Sequence, residues 1–273
     1  MKRVFLLGSN IENSLSPFIH NYWLKKYQLD GSYEALPMNI AQAPNFLRNF
    51  AKQGFVGGNV TMPFKKMAYH LSDKTTATVS AANLLWMEDG AIISGNSDAY
   101  GFHKLLAYNG LGKLKPDARS RSALVLGSGA TSKAVVSVLA AKDYFIYIAS
   151  RKVKESQEIG YNISQIPYWD IGSDYAMIIN TTPCTMQNYD STEFLELLNL
   201  PKIAKSNNRI CIIDLAYVPF QTKLLEQAQK LGFEQMANGM VMLLEQAAYG
   251  FEKWFGVMPE VTPELLDILQ EVL

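Results

Sequence analysis

Along the first hundred residues, short apolar runs of strand length alternate with stretches of helical spacing. Val4–Gly8, Tyr33–Met38 and Gly54–Val60 are apolar runs bounded by polar or turn-forming residues, and each predicts a strand. Between them, Ser16-Pro17 predicts a helix start, with a hydroxyl as N-cap and a proline in the first turn, where its missing N–H has no partner to lose. Gln42–Lys52 carries a second helical pattern. Asn83–Met87 and Ala91–Ser94 flank Asp89-Gly90, a dipeptide suited to the positive φ angles of a two-residue hairpin turn. These elements predict an α/β domain on a mixed sheet, followed by a helix over Ala99–Asn109.

Gly110–Ser122 is rich in Gly, Lys, Pro, Arg and Ser and reads as a linker or exposed loop. Beyond it the pattern changes. Ala123–Leu126, Tyr144–Ala149, Ala176–Asn180 and Arg209–Asp214 predict buried strands, with Ala130–Ala141 and further helical material between them. That alternation argues for a parallel sheet covered on both faces. The chain closes with helices over Thr222–Leu231, Met240–Phe255 and Pro263–Leu273. The expected organisation is α/β throughout. Residues 1–100 with 238–273 form one domain on a mixed sheet, and residues 101–237 form a Rossmann-like domain.

Charge narrows the candidate partners. Lys plus Arg and Asp plus Glu balance at 25 each, so no broad positive field favours nucleic acid. No stretch approaches the roughly 20 apolar residues of a membrane span, and the run Val4–Leu7 is too short for a signal-peptide core. Cys184 and Cys211 read as free thiols, and His20, His70 and His103 lack the mutual spacing of a metal site. The expectation is a cytoplasmic protein with a small-molecule ligand, no metal, no membrane and no nucleic-acid partner, as a monomer or homodimer.

The linked strand and helix at 123–141 carry the first candidate chemistry. Val125-Leu126-Gly127-Ser128-Gly129-Ala130-Thr131 leaves a strand and opens a helix. Gly127 and Gly129 permit a tight turn and close approach of backbone to a pyrophosphate, which the helix N-terminus attracts; Ser128 and Ala130 complete the turn. An NAD site places Asp or Glu at the end of the next strand to accept from the ribose 2′-hydroxyl. Here that strand ends Ala149-Ser150-Arg151-Lys152, with Lys154 close behind. The cations suit a 2′-phosphate, and the Arg151 guanidinium can fork onto it, so the expected cofactor is NADP, held by Gly127, Ser128, Gly129, Ala130, Ser150, Arg151 and Lys152.

Three polar segments of the first domain stand where strands run out: Ser14-Leu15-Ser16-Pro17-Phe18-Ile19-His20-Asn21, Gly57-Gly58-Asn59-Val60-Thr61-Met62-Pro63-Phe64-Lys65 and Gly95-Asn96-Ser97-Asp98-Ala99-Tyr100-Gly101. They supply hydroxyls, amides, one lysine and one carboxylate, a suitable set for a polyhydroxy carboxylic acid. With these motifs, and with Asp214-Leu215-Ala216-Tyr217-Val218-Pro219, Gly239-Met240-Val241-Met242-Leu243 and Gln246, the chain resembles the shikimate dehydrogenase family over nearly its whole length.

The resemblance implies NADPH-dependent, reversible reduction of 3-dehydroshikimate to shikimate, a step toward aromatic amino acids, with the ligand between two domains. It implies that Ser14 and Ser16 hold the carboxylate and that Thr61, Asn83, Asp98 and Gln246 bond the ring hydroxyls. Lys65 and Asp98 would be the acid–base pair; Thr181 would lie in a loop over the cofactor, and Tyr217 and Gly239 near the nicotinamide. The chemistry agrees, because hydride delivery to a ketone leaves an alkoxide that needs a proton donor beside it. The chain departs from the family pattern at Leu84, where threonine is usual after Asn83, at Ser97, at Ala130 and at Thr185. Two other readings fit the same residues: a paralogue acting on quinate or a related ring acid, and an NADP-binding regulatory module without turnover.

Overall fold

The computed structural model describes residues 1–111, 121–153, 155–160 and 162–273. Most of the expected linker, and Lys154, lie outside the described residues. The chain forms two compact units, Met1–Gly101 with Leu244–Val261, and Phe102–Leu243 with Thr262–Leu273.

The first unit contains β1 (Lys2–Gly8), α1 (Ser16–Lys26), β2 (Gly31–Pro37), α2 (Ala43–Asn49), β3 (Phe55–Val60), α3 (Lys65–Leu71), β4 (Lys74–Thr75), β5 (Leu84–Glu88), β6 (Ala91–Gly95) and the start of α4 (Asp98–Tyr108). Its sheet runs β2-β1-β3-β5-β6-β4. β1 pairs in parallel with β2 and β3, whereas β5 is antiparallel to both β3 and β6, so the sheet is mixed, as expected. β1 is apolar at successive positions because both its faces are covered. Phe5 and Leu7 join a cluster with Phe46, Phe50 and Leu85, while Val4 and Leu6 join Tyr33, Leu84, Trp86 and Trp254 on the other face. The hairpin forms as read: Asp89 and Gly90 adopt φ of 51° and 80°, the left-handed pair such a turn requires.

Two local readings are corrected. Ser16 does not cap α1: it is the first helical residue, and Leu15 occupies the cap position without a side-chain bond. The hydroxyl that reaches the helix start is that of Ser14, which accepts from the Ser16 N–H at 3.3 Å. The helix expected over Gln42–Lys52 is interrupted as well. α2 stops at Asn49, and the chain tightens into a single narrower turn, Phe50–Gln53, closed by Gly54 at φ 84°.

The second unit carries β7 (Ser122–Leu126), α5 (Ala130–Ala140), β8 (Phe145–Ala149), β9 (Gln157–Gly160), β10 (Ile163–Ile166), β11 (Met177–Asn180), α6 (Thr192–Leu198), α7 (Leu200–Ser206), β12 (Cys211–Asp214), α8 (Lys223–Lys230) and β13 (Met236–Asn238). Its sheet order is β13-β12-β11-β7-β8-β10-β9, and every pair is parallel except β9 with β10. The chain leaves β7 toward β8 on one side and returns to β11 on the other, so the order reverses at β7. That switch is the position at which open α/β sheets bind their ligands. Ala123 and Val125 face one apolar cluster, Leu124 and Leu126 the other, so the sheet is buried on both faces.

The last helices are α9 (Met240–Phe255) and α10 (Pro263–Val272), and the boundary between units falls inside α9, after Leu243. Leu266 of α10 packs on the second unit's core, so contacts divide the expected segment 238–273 between the two units. Trp23, Trp86 and Trp254 are buried in the first unit, whereas Trp169, in a short turn of the second, is 69% exposed. Among the described residues, no helix is long and apolar enough to cross a membrane.

Candidate active site

At the end of β3 the chain turns sharply. Thr61, half-buried, donates its N–H to the Leu7 carbonyl at 2.8 Å and accepts from Phe64 N–H at 2.9 Å, which brings Lys65 to the start of α3. The Lys65 Nζ lies 2.7 Å from Asp98 Oδ2, with side chains only 15% and 8% exposed. Asp98 opens α4, where a negative charge suits the positive end of the helix dipole. Its N–H donates to Asn96 Oδ1 at 2.9 Å.

The orientation of Asp98 is determined by Asn83. The Asn83 Oδ1 accepts the Ser97 N–H at 2.8 Å, which leaves its Nδ2 to donate to Asp98 Oδ1 at 2.7 Å. Both carboxylate oxygens therefore have a donor, one from an amide and one from the ammonium. Gln246 joins through its Oε1, which accepts from the Ser97 hydroxyl at 3.2 Å and from Asn83 Nδ2 at 3.4 Å. Lys65 and Asp98, expected as a pair, form one hydrogen-bonded group with Asn83 and Gln246.

Ser14 is half-buried and Ser16 buried at the entry to α1. Burial pushes the Tyr33 phenol up, and a hydrogen bond from Ser16 offsets part of that. The Tyr33 hydroxyl in turn donates to Asn59 Oδ1 at 2.7 Å, and Asn59 Nδ2 donates to the Asn83 carbonyl at 3.0 Å. Ser97, Asn59 and Tyr33 were given no role from sequence. Ser97 and Asn59 stood inside the quoted segments, but nothing in Tyr33's strand setting marked it. Leu84, one of the departures, is fully buried in the apolar cluster around Trp86 and Trp254.

His20 stacks flat on Tyr33, with centroids 4.1 Å apart, and lies edge-on to Trp23. Burial pushes its imidazole down to about 3, and neither buried ring nitrogen has a hydrogen-bond partner among the described residues. The unfolded chain titrates this ring near 6.5, so on acidification the unfolded state takes up the proton first. The contribution to stability is thus complete above about pH 6.5 and is lost progressively as pH falls toward about 3. His20→Phe, which keeps a stacked ring, should flatten the decline of the urea midpoint over that range; an unchanged decline would assign it to other groups.

In the second unit, β7 is followed by Gly127, whose φ of +106° excludes most other residues. A Cβ there would also lie 2.8 Å from Thr181 Oγ1. At Gly129, the N-cap of α5, a Cβ would meet nothing within 4 Å, so space is open in front of the first helical N–H groups. The first turn of α5 contains no acidic residue, and Ser128 is exposed beside it. Ala130 begins the helix. Such an end receives a phosphate without electrostatic conflict. Arg151 and Lys152 are exposed in the turn after β8, while Ser150 is buried with no hydrogen-bond partner for its Oγ among the described residues. These residues fit a dinucleotide bearing an additional phosphate.

The loops after β11 and β12 share one buried polar network. Asn180 Nδ2 donates to Asp214 Oδ1 at 2.9 Å and to Thr185 Oγ1 at 3.0 Å, and its Oδ1 accepts the Thr182 N–H at 2.9 Å. The Thr222 hydroxyl, at the cap of α8, donates to Asp214 Oδ2 at 2.7 Å. Burial pushes the Asp214 carboxyl up, opposed by these hydrogen bonds. The departure at Thr185 thus supplies a hydroxyl to this network. Thr181 Oγ1 donates to the Leu126 carbonyl at 2.7 Å, tying its loop to the end of β7. Tyr217 is half-buried, with its phenol pushed up by burial. At Gly239 a Cβ would lie 2.0 Å from the Leu215 carbonyl oxygen, so the two backbones can pass only with glycine there.

The model of the shikimate dehydrogenase substrate binding domain matches residues 6–85, and that of the shikimate 5′-dehydrogenase C-terminal domain matches residues 239–263. The shikimate dehydrogenase (NADP(+)) of Brucella canis is 36% identical, over 97% of this chain and 92% of its own. A shikimate dehydrogenase crystallised in complex with NADP+ is 27% identical, with a TM-score of 0.87 over 100% of this chain and 96% of its own. The shikimate 5-dehydrogenase of Thermus thermophilus, crystallised with shikimate, is 26% identical, with a TM-score of 0.77 over 95% of each chain. With motifs, fold and relatives in agreement across almost its full length, the chain belongs to the shikimate dehydrogenase family.

Proposed function

We propose that this protein is an NADP-dependent oxidoreductase acting on a CH–OH group, which reversibly reduces 3-dehydroshikimate to shikimate in aromatic amino acid biosynthesis. The observation that carries the reading is the largely buried Lys65–Asp98 pair, held by Asn83 in a chain related to enzymes of that name. The ring acid binds to the first unit and NADP to the second. Ser14 and Ser16 hold the carboxylate, and Thr61, Asn83, Asp98 and Gln246 address the ring hydroxyls. Gly127, Ser128, Gly129 and Ala130 cradle the pyrophosphate, Ser150, Arg151 and Lys152 surround the 2′-phosphate, and Thr181, Tyr217 and Gly239 border the nicotinamide. The protein works in the cytoplasm, as a monomer or homodimer.

Bound NADPH supplies the hydride. Lys65 donates a proton to the ring oxygen as the carbonyl becomes an alcohol, and regains one from solvent afterwards. Asp98 fixes the ammonium at one position, so the donor is already aimed when negative charge develops on that oxygen. In the oxidative direction the neutral amine accepts the hydroxyl proton.

The test is absorbance at the nicotinamide band with shikimate or quinate, each with NADP+ or NAD+. Fast reduction with shikimate and NADP+ alone is expected. Activity only with quinate or NAD+ would reassign the substrate or cofactor, and folded protein inert with every pair would reject catalysis.

A further inference from the structure

We propose that Tyr33 is a positioning residue for the Lys65–Asp98 pair, acting through the amides of Asn59 and Asn83. The proposal rests on the reading of function given above. Tyr33 lies on β2, one strand beyond β1, and none of its atoms is expected to touch the ring acid. Its hydroxyl donates to Asn59 Oδ1 at 2.7 Å and anchors that end of the buried amide, whose orientation is set at the other end by the acceptor-only Asn83 carbonyl. The Nδ2 is left facing the Asn83 carbonyl at 3.0 Å. A flipped amide would set two carbonyl oxygens against each other at that separation, inside a buried site.

The consequence travels along a short covalent and hydrogen-bonded path. The Asn83 carbonyl also accepts the Val60 N–H at 2.9 Å, so the residue is held between the end of β3 and the Asn59 side chain. The Asn83 side chain is fixed by Ser97 N–H and donates to Asp98, which in turn holds Lys65. Tyr33 itself has little freedom, since its ring stacks on His20 at 4.1 Å and 6° and contacts Trp254. Tyr33→Phe therefore removes one hydroxyl while leaving the stack in place.

A group that acts only on orientation should change the chemical step more than binding. We expect Tyr33→Phe to lower kcat for shikimate oxidation about tenfold while the KM for NADP+ stays within about twofold and that for shikimate, whose proposed ligand Ser16 also loses its contact with the hydroxyl, rises by less than kcat falls. In an Asn59→Ser background, which lacks the amide, the same substitution should change kcat by less than about twofold, the non-additivity expected of residues acting in series. A Tyr33→Phe enzyme with kcat within about twofold of the parent overturns the proposal. So does a tenfold loss that persists undiminished in the Asn59→Ser background, or one that appears wholly in KM. The parent enzyme serves as the control for function: if it fails to oxidise shikimate, the functional reading falls, and this inference with it. If the parent is active and Tyr33→Phe is normal, only the role of Tyr33 is lost.

Discussion

Lys65→Ala should lower turnover by roughly two to four orders of magnitude, with only a modest rise in the KM for shikimate, as for other general acid–base groups. The asymmetry follows from the site. Asp98 keeps its Asn83 donor when the lysine is lost, so the carboxylate keeps its orientation. What disappears is the proton donor needed as the carbonyl oxygen acquires charge. The variant also leaves Asp98, only 8% exposed, without its cation, so its thermal midpoint must be measured beside its kinetics. Near-normal turnover from a folded variant would remove Lys65 from the mechanism.

Arg151→Ala should raise the KM for NADPH by roughly one to two orders of magnitude and leave that for NADH within about twofold, because a charge-assisted fork onto a 2′-phosphate is available only to the phosphorylated cofactor. The side chain is exposed, so the preference of the parent enzyme for NADPH should also weaken as salt is added. Equal effects on both cofactors would reject the 2′-phosphate role and return Arg151 to the solvated surface.

Much of this was readable before any coordinates, for reasons that differ from place to place. β1 and β7 announced themselves because a strand buried on both faces must be apolar throughout. The Asp89-Gly90 turn did so because few residue pairs tolerate its backbone angles. The candidate site was legible where tight polar segments resemble those of a known family, as at Lys65 and Asp98. Tyr33 was opaque because a tyrosine in a strand looks like ordinary core; its importance depends on β2 lying beside β1 and on α1 bringing His20 against its ring. The antiparallel pair β9–β10 was missed because alternating β and α elements imply helices at every crossover, and short polar strands such as Gln157–Gly160 have little apolar pattern. The cap of α1 was misassigned by one residue, because Ser16 satisfies the preference for a hydroxyl while only the path of the backbone puts Leu15 at the cap position and the Ser14 hydroxyl within reach of the Ser16 N–H.

The four tryptophans give the two units separate optical identities. Trp23, Trp86 and Trp254 are shielded from water in the first unit, so their indole emission is expected to be blue, and the two flanking His20 stand where a protonated imidazole would quench them. Trp169 stands largely in solvent in the second unit and emits red from the outset. Loss of structure in the first unit is therefore visible as a shift in colour, while the same event in the second leaves the wavelength almost where it was. A melt followed by emission reports chiefly on the half that holds Lys65 and Asp98.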